Sequence, residues 1–174
     1  MTEPGWPDDW ADRMAGKGCP MCATLGKGDN DFSVEVFTGD VADVYLERRS
    51  LLPGYCIVIW KHGHVAEPAD LPAEQASRYW AEVLATGRAV RARFSPVKLN
   101  YFTLGNQVPH LHTHVLPRYR DDPAPGGPIV WQDVSRPTRY RTRNCTPRPR
   151  TSAASWVRRR GPRNGGGSRP RCWR

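Results

Sequence analysis

Residues 110–117 read His110-Leu111-His112-Thr113-His114-Val115-Leu116-Pro117, and three of the chain's five histidines stand there at every second position. Leu, Thr and Val at the other positions favour an extended backbone. In a strand successive side chains alternate faces, so His110, His112 and His114 are expected on one face and Leu111, Thr113 and Val115 on the other, turned inward. At a rise of about 3.3 Å per residue, successive imidazoles stand ~7 Å apart. Three readings suit such a row. It is the wet face of a half-exposed strand, a role that Lys, Thr or Glu would fill equally well. It is a three-histidine metal site, although tetrahedral ligands rarely come from one straight strand. Or it serves nucleophilic catalysis, since imidazole is partly neutral at pH 7 and attacks phosphorus well.

Outward from this stretch the pattern is that of an α+β layer. Phe32, Val34 and Val36 alternate with polar residues up to Thr38, Gly39-Asp40 marks a turn, and residues 41–48 supply a hairpin partner. After Pro53-Gly54, the run Tyr55-Cys56-Ile57-Val58-Ile59-Trp60 is apolar and β-prone, as a central buried strand requires. Residues 61–69 form a loop with His62 and His64. From Leu71 to Phe94, Ala76, Trp80, Val83, Leu84, Ala89 and Val90 recur at helical spacing, with Pro72 early and Pro96 as the stop. Residues 97–104 read as a strand and 105–109 as a turn into the histidine strand. Upstream, Asp8 to Lys17 predicts a short helix with Trp6, Trp10 and Met14 on one face, capped by Asp8 or Asp9 and ended by Gly16 and Gly18. A tight Cys19-Pro20-Met21-Cys22 knuckle follows.

The formal charge of +9 is unevenly placed: residues 1–135 carry −4, whereas residues 136–174 hold 13 Arg and no acid. That segment has few aliphatic residues and neither strand nor helix periodicity, so it is expected to be a disordered basic tail. The domain expectation is therefore one unit over 1–135 and a tail over 136–174. Arg, Pro, Gly, Ala and Ser from GC-rich codons also suit a frameshifted read of the gene. No apolar run reaches the length of a membrane span, and the acidic start lacks the apolar segment of a secretory signal, so the cytoplasm is expected. Five cysteines is an odd number; in a reducing compartment the Cys19/Cys22 spacing suggests metal or redox work more than a bridge. The redox version needs a thioredoxin-like βαβ context that the pattern lacks. Cys56, in mid-strand, reads as a buried apolar residue.

Residues 100–117, Asn-Tyr-Phe-Thr-Leu-Gly-Asn-Gln-Val-Pro-His-Leu-His-Thr-His-Val-Leu-Pro, resemble the signature of the histidine triad family of nucleotide hydrolases and transferases, His-φ-His-φ-His-φ-φ with φ apolar. Thr113 is the one imperfect φ. The likeness extends from about Cys19 to about Trp131. It implies a sheet of about five antiparallel strands with helices on one side, paired into a homodimer. It implies His112 as the nucleophile that takes up a nucleotidyl group and His114 as the partner that hydrogen-bonds the phosphate or leaving oxygen. Asn106, Gln107 and the backbone beside Gly105 are implied phosphate donors, and Asn100 a contact to phosphate or ribose; the plainer reading of the two Asn is turn formation, and of Gly105 a backbone need. Pro53-Gly54-Tyr55 resembles the family's Pro-Gly-His with Tyr in place of His. Zinc-bearing relatives imply a closed, structural Zn²⁺ site from Cys19, Cys22, His64 and His110, with His62 as the rival of His64.

The leading expectation is hydrolysis or transfer at the α-phosphorus of a nucleotide, such as a dinucleoside polyphosphate or a nucleoside phosphoramidate. The alternatives are a nucleotide sensor with little turnover and nucleic-acid binding through the tail.

Overall fold

The computed structural model describes residues 5–129; the tail expected to be disordered lies outside these residues. The alternating stretches become β1 (Ser33–Thr38), β2 (Ala42–Glu47), β4 (Lys98–Leu104) and β5 (His112–Arg118), and the apolar run becomes β3 (Cys56–Trp60). They form one antiparallel sheet in the order β1-β2-β3-β5-β4. The strand expected to be central, β3, is central. It pairs on one side with β2 and on the other with β5, which places the histidine strand in the sheet interior, hydrogen-bonded along both edges.

The helical pattern becomes α3 (Ala73–Phe94), entered through Pro72 and left through Ser95 in the left-handed region at φ 50°. Pro96 bars any further turn. Its inner residues Tyr79, Val83 and Val90 pack with Val44, Val58, Trp60, Leu99, Leu111 and Val115 into the main core. Each aliphatic side chain so buried contributes ~1.5–3 kcal/mol. The Glu82 carboxylate ties the helix to the β1–β2 turn by accepting from the backbone N–H of Asp40, Val41 and Ala42 at 2.6–3.2 Å. Gly54 needs to be glycine: its φ is +90°, and a Cβ would stand 2.5 Å from the Phe94 ring.

The other face of the sheet carries a smaller cluster of Leu52, Tyr55 and Leu116, with Ile57, Phe102 and Tyr119 against it. The register places His114 between Ile57 and Phe102, and His112 between Ile59 and Leu104. This uncovered face is the one that holds the two histidines of β5.

The N-terminal segment departs from expectation. The first helix, α1, is only Trp10–Met14 and buries none of its residues. Trp6 precedes it, is 64% exposed and packs its ring on Trp10 at 4.6 Å. Asp9 is at the N-cap without a capping bond, because its carboxylate accepts instead from Arg13 Nε at 2.8 Å. The cysteine knuckle is a helical turn, α2 (Pro20–Thr24), with Cys19 as its N-cap: the Cys22 N–H points at Cys19 Sγ, 3.5 Å away.

Candidate active site

The three histidines do not all lie on one strand. β5 begins at His112, and His110 stands in the preceding segment, where its own N–H donates to Val108 O at 2.8 Å while the next residue, Leu111, donates to Val65 O at 2.6 Å and accepts from Trp60 N–H at 3.0 Å. His110 is fully buried, and its Nε2–H donates to Trp60 O at 2.7 Å. The expectation of one strand for all three is thus corrected: β5 carries His112 and His114, and His110, just ahead of it, leads a second cluster. Leu111, Thr113 and Val115 do point inward. Thr113, the polar residue in an apolar place, is satisfied there by Tyr79 Oη at 2.8 Å and Thr103 Oγ1 at 2.9 Å.

His112 Nδ1 lies 2.5 Å from the carbonyl oxygen of His110. A carbonyl only accepts, so Nδ1 carries the ring proton and Nε2 keeps its lone pair. Burial lowers the pKa of His112 below the usual histidine value. The His114 ring meets that of His112 edge to face, with centroids 4.8 Å apart. Burial first, and then His112, pull His114 down to about 3. Both imidazoles are therefore neutral at pH 7. Tyr55 Oη sits 2.6 Å from His114 Nδ1. Sequence reasoning noted Tyr55 for its departure from Pro-Gly-His but missed this bond, which joins residues 59 positions apart and leaves no local trace.

Of the residues expected to contact substrate, Asn106 and Gln107 are exposed in the turn before the triad, where the Gln107 carbonyl accepts from Arg13 at 3.2 Å. Asn100 pairs with Leu116 across β4 and β5, and its side-chain oxygen accepts from Arg118 at 2.9 Å. Gly105 has no left-handed φ, and a Cβ there would meet nothing nearer than Pro109 Cα at 3.6 Å. The backbone need expected of Gly105 is therefore corrected: the chain itself does not demand glycine at this position.

Cys19, Cys22, His64 and His110 converge, with their nearest ligand atoms all within 4.8 Å of one another. Cys22 Sγ is 3.3 Å from His110 Nδ1 and 3.6 Å from His64 Nδ1, and Cys19 Sγ is 3.6 Å from His110 Nδ1. Ligands around a tetrahedral ion with bonds near 2.3 Å to sulfur and 2.0 Å to nitrogen stand ~3.5 Å apart, so this group could hold a metal. The tautomer fits too, because the Nε2–H of His110 is committed to Trp60 O and its Nδ1 is left to ligate. Gly16 makes room: at φ +81°, a Cβ there would fall 2.7 Å from His64 Cγ. Without a cation, burial and then Cys19 push the Cys22 thiol up to about 11; a bound cation reverses this, since ligating thiols are deprotonated. His62 is not part of the group, since its Nε2 is 2.8 Å from Asp40 O and its ring packs on Trp60.

A family model for the HIT domain matches residues 33–121, half of the chain. The chain belongs to the histidine triad family. It is similar to the protein hit of Bacillus subtilis, 29% identical over 106 residues that span 58% of this chain and 71% of that one. A solved histidine triad protein from Marinobacter aquaeolei is 30% identical, with a TM-score of 0.55 over 62% of this chain and 77% of its own. The bis(5'-adenosyl)-triphosphatase of Saccharomyces cerevisiae is 25% identical over 77 residues, 41% of this chain and only 37% of the yeast enzyme. The five-stranded sheet with its single long helix is thus the histidine triad fold. Among the described residues, no helix is long and apolar enough to cross a membrane.

Proposed function

We propose that the chain hydrolyses or transfers nucleotides at the α-phosphorus through a covalent nucleotidyl-histidine on His112. One observation carries this reading: the His112 Nδ1 proton is held by the His110 carbonyl, so the opposite nitrogen keeps its lone pair beside a second neutral imidazole. In the first step the Nε2 lone pair forms a bond to phosphorus while the bond from phosphorus to the leaving group breaks. The positive charge that develops on the imidazole is spread toward Nδ1–H and met by the carbonyl dipole. Water then attacks the same phosphorus, the bond from phosphorus to Nε2 breaks with its electron pair returning to His112, and the proton shed by the water passes to solvent; another acceptor in place of water makes the reaction a transfer.

The donors around phosphorus are His114, the amides of Asn106 and Gln107, and the backbone beside Gly105, whose missing side chain leaves that backbone open to approach. Asn100 acts on the ribose or phosphate with its amide, its oxygen being already engaged by Arg118. The substrate is of the dinucleoside polyphosphate or nucleoside phosphoramidate type; the yeast relative is a bis(5'-adenosyl)-triphosphatase, which supports the first. The metal of the Cys19/Cys22/His64/His110 group is zinc in a structural role: two thiolates and two imidazoles suit it, and all four positions are filled by protein. The unpaired thiols of the knuckle suit a reducing compartment, the cytoplasm. The protein acts as a homodimer, a reading supported by the exposed Trp80 and Leu84 of α3 and the exposed Val97 and Tyr101 beside and on the edge strand β4; light scattering gives the mass that tests it.

The function is tested by incubating the protein with labelled nucleotides of both classes and quenching without acid. The expected product is a phosphoramidate that peptide mapping places on His112. Label on another residue removes the nucleophile assignment. Binding without turnover of any nucleotide replaces the enzyme by a nucleotide sensor.

A further inference from the structure

We infer that Tyr55 is a positioning residue: its hydroxyl donates to His114 Nδ1 and so holds His114 in the tautomer whose proton is on Nε2, the form that can donate to phosphate. The geometry is a 2.6 Å contact between Tyr55 Oη and His114 Nδ1, with the two rings 5.9 Å apart and tilted by 32°. The direction of donation follows from the chemistry of the pair. Tyr55 is 7% exposed, and burial pushes its phenol far above the usual tyrosine range, so the hydroxyl keeps its proton. A neutral phenol is a good donor and a poor acceptor, whereas a neutral imidazole nitrogen without a proton is a strong acceptor. The bond therefore runs from Tyr55 to His114, and the ring's own proton is left on Nε2.

Two residues of this site thus have their tautomers set in opposite senses. The His110 carbonyl forces the His112 proton onto Nδ1 and leaves a nucleophile; the Tyr55 hydroxyl forces the His114 proton onto Nε2 and leaves a donor. Tyr55 is held in place by its own surroundings: Gly54 makes the turn beside it, and Leu52 and Leu116 pack with it. The family's Pro-Gly-His places an imidazole at this position. A phenol carries only one proton and does not change its charge near neutral pH, so it holds His114 the same way throughout that range.

This inference rests on the reading of His114 as a phosphate donor, and its test separates the two. Long-range ¹H–¹⁵N spectra of the imidazoles of the full-length protein report the tautomer directly. In the wild type, His114 should show a bare Nδ1 and a protonated Nε2. In Tyr55→Phe, which keeps the ring and removes one oxygen, the two tautomers should mix, and kcat should fall about 10- to 100-fold with KM nearly unchanged. That is less than the ~100- to 1,000-fold typical of losing a donor outright, because the right tautomer stays partly populated. Tyr55→His, which restores a donor, should recover most of the rate. A proton on Nδ1 of wild-type His114 overturns the inference, as does a Tyr55→Phe protein with unchanged tautomer or unchanged kcat. A wild type with no turnover overturns the hydrolase reading instead, and the spectra still decide the tautomer.

Discussion

Replacing His112 with Ala removes the only nitrogen that the His110 carbonyl prepares for attack, while the turn donors and the apolar face of the sheet survive. Turnover should fall by several orders of magnitude, with nucleoside monophosphates still binding in calorimetry; His114→Ala should be milder, about 100- to 1,000-fold in kcat, because it removes a donor and spares the nucleophile. Equal losses in the two variants would count against the division of roles. His114 also makes folding depend on pH. Its pKa is about 3 in the folded state, against an ordinary value of 6.5. Between those values the unfolded chain binds more protons than the native one, so stability is full above the ordinary value and is lost as pH falls below it. The melting temperature should decline from about pH 7.5 to about pH 5, and more shallowly in His114→Asn. A slope that this substitution leaves untouched would assign the dependence to other groups.

At the scale of elements, the short helix α2 is the piece least able to stand alone. It has five residues, none of them buried, and isolated helices of that length are unstable. Its fixed point is the group formed by Cys19 and Cys22 with His64 and His110. His110 faces two ways there: its side chain joins the cysteines, and its carbonyl holds His112 at 2.5 Å. Stripping the metal, or replacing Cys19 with Ser, should therefore lower the melting temperature markedly and lower turnover with it, since structural zinc contributes folding energy directly. Metal analysis should find about one zinc per chain. A protein that is metal-free, equally stable and equally active would leave the knuckle as ordinary thiols. The long helix is secured differently, by Tyr79 reaching Val58 O and Thr113 Oγ1 and by the Glu82 carboxylate on the β1–β2 turn.

At the scale of the molecule, the described residues end at 129, and the last strand, β5, closes at Arg118. Beyond β5 the Arg118 guanidinium binds the Asp122 carboxylate at 2.7 and 3.1 Å, the carbonyls of Ala124 and Gly127, and Asn100, and Ile129 packs against the Leu52, Tyr55 and Leu116 cluster. This network fastens residues 119–127 against β4 and β5. A chain cut after Val134 should therefore keep its melting temperature and its turnover. A large loss of either would show that residues 135–174 take part in the fold or the site. Nucleic-acid affinity conferred by those 13 arginines, measured on the full chain, should fall steeply with salt.

By itself the sequence determined the α+β layer, the central place of β3, the long helix between Pro72 and Pro96, and the octapeptide that carries the chemistry. These are local properties: alternation, helical spacing and proline stops act over a few residues, and each agreed with the element that formed. It failed where long-range contacts decide. His110 has the same two-residue spacing as its neighbours, yet its N–H turns back to Val108 O and its ring is held by Trp60 O, so it stands ahead of the strand. One failure is local: Asp9 has the chemistry of a cap, yet Arg13, four residues on, takes its carboxylate. Gly105 reads as a backbone requirement, yet its φ is ordinary. The choice of His64 over His62, the clustering of ligands 91 residues apart and the Tyr55–His114 bond were settled only by tertiary structure. A hydrogen bond depends on distance and angle, and over such separations along the chain only the packed sheet and helix fix them.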